Sequence, residues 1–187
     1  MEETELRYFS DGENSAILRN LNKEEFEVAM AIILAATTGI LESEITALRW
    51  TDFKIVEDDI VALNVNKIFT KVSNGQYATE YLSSSKVHTK LIKTKEFMEI
   101  YYTNKSTGRL FWSTPDILTD KVNKYFKRLG LPELGLIGLR HTLIIKLLLR
   151  GLTLDQVSCR VNIKVSTIRS TYKNFIPKTE LFKINCF

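Results

Sequence analysis

The sequence predicts an α+β chain, mostly helical, with a single β-rich region. Three observations predict it. Between residues 53 and 82, two stretches (60–65 and 76–81) alternate polar and apolar side chains around Ser73-Asn74-Gly75, a turn signal. Outside that region, apolar residues recur at helical spacing, as in Phe26, Ala29, Ile33 and Ala36, and in Leu143, Ile144, Leu147 and Leu148. The chain has 187 residues, 44% hydrophobic and 26% charged, which suits one domain with a full core, residues 1–187.

In chain order, residues 1–7 read as a flexible, acidic start without the apolar segment of a signal peptide. Ser10 or Asp11 caps a first helix with Glu13 in its first turn. Residues 21–37 form a deeply buried helix that Gly39 ends, and 42–49 a second short one. After the β region come a helix at 93–102 and a short strand at 109–112. Pro115 then opens a helix that runs to Arg128. The segment 136–175 reads as three helices. The first carries Arg140 and His141 and stops at Gly151. The second runs 154–161 behind Thr153 as cap and breaks at Asn162. The last opens at Ser166 and carries Tyr172. Taken alone, Tyr172 reads as a half-buried aromatic and Arg140 as a surface cation.

The net charge of +4 conceals an asymmetry. Residues 1–60 hold 14 acids and 5 bases, a balance of −9; residues 61–187 hold 8 acids and 21 bases, a balance of +13. A basic part of this strength points to nucleic acid, and equally to a solvated lysine-rich surface. Lys121, Lys124 and Arg128 share one helix face and are candidate phosphate contacts, though solvation explains them equally well. No apolar run reaches the roughly 18 residues of a membrane span, so no membrane partner is expected. The cysteines, Cys159 and Cys186, have no metal spacing; Cys159 reads as a buried thiol in a reducing, cytoplasmic setting. No glycine-rich phosphate loop or metal cluster is apparent, and His88 and His141 are the two histidines.

Two stretches together resemble the catalytic domain of the tyrosine recombinases, or phage integrases. Leu139-Arg140-His141-Thr142, an apolar helix, a glycine, a short helix and Ser166-Thr167 ahead of Tyr172 look like its C-terminal half. Thr38, Gly39, Glu44, Leu48, Trp50 and Asp52 fit its first box. The β region is similar to that of integrases of conjugative transposons, and the resemblance covers nearly the whole chain. It implies a three-stranded antiparallel sheet beside a helical bundle, without the family's separate N-terminal DNA-clamping domain. The implied partner is double-stranded DNA in the recombination and integration of a mobile element.

In that family a tyrosine attacks phosphorus in line and forms a 3′-phosphotyrosine link; Tyr172 is its counterpart here. Arg140 corresponds to one of two arginines that clamp the phosphate, and His141 adjoins it. No metal or other cofactor is required, because the phosphotyrosine conserves the bond energy. The chain departs from the pattern at four positions. Leu41 stands where the first arginine belongs, Leu82 near the place of the proton-donating lysine, and Ile137 and Ile163 at the flanking histidine sites. These departures imply impaired catalysis and an apolar lining at the phosphate's place. An active enzyme would need substitutes such as Lys71 or Lys86. From another class, the chain reads as a protein-interaction module. The tail 173–187, apolar at Phe175, Ile176, Leu181, Phe182, Ile184 and Phe187, would pack on the domain or join copies into an oligomer.

Overall fold

A computed structural model describes residues 6–177. Leu181, Phe182, Ile184, Cys186 and Phe187, most of the tail expected to pack on the domain or to join copies, lie outside the described residues.

Helix α1 (Asp11–Arg19) starts at a capping box: the Ser10 hydroxyl accepts from Glu13 N, and the Glu13 carboxylate accepts from Ser10 N at 2.7 Å. A 3₁₀ turn (Leu21–Lys23) leads into α2 (Phe26–Thr38), so the helix expected at 21–37 is split there. Helix α2 is buried almost all round and forms the axis of the main core. Gly39 ends it in the left-handed region, φ 69°, where a side chain would meet Leu143 and Val161 at 3.2 Å. Helix α3 (Glu42–Thr46) stops three residues short of the expected Arg49, because the chain turns into a 3₁₀ segment at Trp50–Asp52.

Strands β1 (Phe53–Glu57), β2 (Ile60–Val65) and β5 (His88–Ile92) make the three-stranded antiparallel sheet, in the order β1-β2-β5. Strands β3 (Lys67–Lys71) and β4 (Tyr77–Tyr81) form a separate hairpin around the Ser73-Asn74-Gly75 turn. The alternation at 76–81 predicts that the second limb of that hairpin joins the sheet; β5 takes that place instead. Lys90 of β5 pairs with Leu63 and Val65 with His88, so His88 and Lys90 share the inward face with Val61, Leu63 and Val65.

Helix α4 (Lys95–Asn104) packs beside α2, with Phe97 and Tyr101 buried. The strand expected at 109–112 reduces to one bridge between Arg49 and Arg109. Helix α5 (Pro115–Arg128) has Pro115 in its first turn behind the cap Thr114. Helix α6 (Gly135–Leu149) spans two cores. Leu136 and Leu139 join the main one; Ile144, Ile145, Leu147 and Leu148 join a second with α7 (Leu154–Val161) and α8 (Val165–Thr171). The Thr153–Gln156 capping box opens α7 as expected, and Asn162 closes it at φ 54°. Ile176 is buried against the second core. Cys159 is exposed on α7, contrary to the buried thiol expected. Among the described residues, no helix is long and apolar enough to cross a membrane.

Candidate functional site

The centre of the site is Arg140, in the second turn of α6 and 7% exposed. Its guanidinium donates to the carbonyl of Gly39, at the end of α2, and to that of Val161, at the end of α7, at 3.1 Å. The surface-cation reading of Arg140 is therefore wrong. Buried among apolar helices, this charge satisfies itself on orphan carbonyls at two helix ends. Burial works against its protonation, and the nearby Glu44 and Tyr172 favour it.

Tyr172 does not ride on α8 but caps its C-terminus, and it is 2% exposed. Its hydroxyl lies 2.7 Å from Nδ1 of His141, one residue beyond Arg140. Burial pushes the phenol up to about 12, against the pull of Arg140. Burial, helped by Arg140, pushes the His141 imidazole below its ordinary value. At neutral pH the contact therefore joins two uncharged groups, and the tautomer of the ring decides which one donates.

The surroundings of Arg140 are not the apolar lining expected. Strand β5 contributes two side chains that are not among the residues expected at the site. Lys90, 6% exposed, donates from Nζ to the Arg160 carbonyl at 2.5 Å. Burial, and next to it Arg140, bring its pKa down to about 8, opposed by Glu44. His88 contacts the Asn162 amide at 2.8 Å through Nδ1, and its Nε2 lies 3.9 Å from Glu44. Its pKa is lowered, chiefly by burial. Glu44 also closes the first turn of α3 by accepting from Leu41 N at 2.7 Å. Arg140, Glu44, His88 and Lys90 thus form one buried polar group.

The four departing positions lie as follows. Leu41, 38% exposed, stands two residues beyond Gly39, and Ile163, half-buried, two residues beyond Val161. They flank the two carbonyls that hold Arg140. Ile137, 40% exposed, is one turn before Arg140 on α6. Leu82 is elsewhere: its N–H bonds Asn66 and its side chain packs partly on the main core. Lys71 ends β3 in solvent, and Lys86 is exposed in the turn before β5. The lysine beside Arg140 is Lys90, not either proposed substitute. On α5, Lys121 pairs with Glu25 at 2.7 Å and Glu27 at 3.2 Å, and Arg128 pairs with Glu24. Lys124 is exposed.

No family model and no curated protein matches the chain. Solved structures do. The chain is similar to the Tn1549 transposon integrase in complex with a circular intermediate DNA, with a TM-score of 0.69 at 15% identity, over 94% of this chain and 63% of that one. It is similar to the XerH site-specific recombinase bound to its palindromic difH substrate, with a TM-score of 0.64 at 16% identity, over 96% of this chain and 53% of that one. The catalytic domain of bacteriophage HP1 integrase aligns with a TM-score of 0.58 at 14% identity, over 97% of this chain and 95% of that domain. The chain has the tyrosine recombinase catalytic-domain fold. It spans 63% of the Tn1549 integrase chain and nearly all of the HP1 catalytic domain. His141 contacts Tyr172, and Arg140, the residue before it on α6, lies close enough to Tyr172 to feel its charge.

Proposed function

We propose that the chain is a DNA-holding, recombinase-like domain of a mobile element in which strand cleavage is impaired. Arg140 carries this reading. A guanidinium recognises phosphate by offering a planar fork of donors. Here Arg140 is buried and directs donors to Gly39 and Val161. Its expected mate is Leu41, which brings no charge. Each missing preorganised donor costs on the order of 10²–10³ in rate, and losses within one unit do not simply add. The basic balance of residues 61–187 supports the DNA partner. Among the described residues Lys124 is the α5 candidate outside an ion pair, whereas Lys121 and Arg128 are paired with Glu24, Glu25 and Glu27. A cytoplasmic location accompanies this reading.

The contact of Tyr172 with His141 favours a second reading, residual cleavage. A hydroxyl beside an uncharged imidazole is a nucleophile beside a base, and Lys90, with its pKa brought down to about 8, suits a proton donor. Incubation with a nicked suicide duplex, which traps the 3′-phosphotyrosine, separates the two. The first reading expects no covalent adduct from the wild-type chain. An adduct that disappears in Tyr172→Phe and falls in Lys90→Met would establish the second. For the DNA partner, binding to random duplex is expected to weaken steeply with salt. Absence of binding at low salt would remove it.

A further inference from the structure

Outside the Arg140 site, the segments around Arg49 and Arg109 meet as an isolated antiparallel bridge. Trp50 N donates to Gly108 O at 3.1 Å and Leu110 N to Leu48 O at 2.9 Å. Arg49 and Arg109 are therefore a pair without mutual hydrogen bonds, the register in which facing side chains stand closest. Two cations in that register repel. Asp52, three residues beyond Arg49, is engaged: it holds Lys67 and accepts from the Arg49 N–H. The Arg109 guanidinium lies 4.6 Å from the centre of the Phe69 ring and 5.9 Å from that of Trp112. One of its terminal nitrogens is buried without a partner. Arg49 is exposed, and the Trp112 indole is 77% exposed, a large apolar surface left to water.

We propose that Arg49, Arg109 and Trp112 bind one unpaired nucleotide of a single-stranded nucleic acid, with the phosphate at the arginine pair and the base stacked on the indole. A phosphate would relieve the repulsion that the protein leaves uncompensated, and guanidinium forks match its geometry. An exposed ring accepts any base face, but only a base free of its own stack can reach it. The site rests on the DNA reading for its partner class and uses none of the residues around Arg140.

Titration of the full chain with a short oligothymidylate, followed by tryptophan fluorescence, tests this. The two tryptophans are the buried Trp50 and the exposed Trp112, so quenching on binding reports Trp112. Quenching is expected. Trp112→Leu, a change at an exposed position, abolishes it and weakens binding about tenfold or more. Arg49→Gln and Arg109→Gln weaken oligothymidylate more than fully paired duplex and reduce the salt dependence, with circular dichroism confirming that they fold. Binding without quenching, quenching that survives Trp112→Leu, or equal binding of inorganic polyphosphate would overturn the site. Duplex binding without oligothymidylate binding overturns this site alone. Failure to bind either overturns the DNA reading as well.

Discussion

The Tyr172 hydroxyl and the His141 imidazole, 31 positions apart in sequence, lie 2.7 Å from one another beneath the second core. The bond fastens the end of α8 to α6. Tyr172→Phe keeps the ring and leaves the imidazole nitrogen without its partner, at a cost of about 1–3 kcal/mol. Tyr172→Ala also opens a cavity and costs about 3–5 kcal/mol. Denaturant unfolding of both variants checks the order. A Tyr172→Phe variant as stable as the wild type would mean that the bond contributes nothing.

Arg140 behaves in this structure as a staple between two helix ends. Arg140→Met leaves the carbonyls of Gly39 and Val161 unpaired and removes one of the cations beside Glu44. The expected loss is about 2–5 kcal/mol, seen as a lower denaturant midpoint with an unchanged slope. An exposed phosphate-binding arginine would instead be replaceable at almost no cost in stability.

Gly39→Ala strains the same junction from the other side. The left-handed conformation alone costs a residue with a side chain about 1–2 kcal/mol. The added carbon also meets Leu143 and Val161 at 3.2 Å. Thermal melting of Gly39→Ala should show a loss at least that large. Gly151, also at positive φ but with nothing within 4 Å of the added carbon, should lose only the conformational part on the same change.

Lys90 gives stability a distinctive dependence on pH. Its pKa is about 8 in the folded chain against an ordinary 10.5, so the unfolded chain binds more protons between those values. Stability therefore rises as pH climbs from about 8 towards 10.5. Tyr125 and Tyr172 act in the opposite sense. Burial raises both to about 12 from an ordinary 10, so their contribution is complete below pH 10 and is lost above it. Wild-type stability should thus climb above pH 8 before the tyrosines reverse the trend. Lys90→Met should remove the climb and keep the later fall, as read by chemical denaturation at a series of pH values.

Much of the fold was legible because its helix ends obey local rules. The boxes at Ser10–Glu13 and Thr153–Gln156, Pro115 in a first turn and Gly39 past a last turn are decided within a few residues. Strand β5 was missed because its alternation runs backwards: Lys90 points inward at 6% exposure, and Leu91 outward at 61%. Hydrophobic periodicity puts leucine in the core, and here a long-range partner, the Arg160 carbonyl, overrides it. The site was divided in the same way. Arg140, His141 and Tyr172 could be aligned by motif. Lys90, whose partners are 70 positions away or on other elements, has no local signal. Cys159 was misplaced for a related reason: α7 is amphipathic, and its buried positions are Leu154, Val157 and Val161.

The two cores share α6 as a single spine, and α7 is tied to the first through a few buried polar contacts, from Arg140, Lys90 and His88. A molecule joined in this way does not open evenly. The amide protons of α7 and α8 should exchange with solvent as one cooperative unit, well before those of α2, and the chain can shed its last two helices while the first core stays shut.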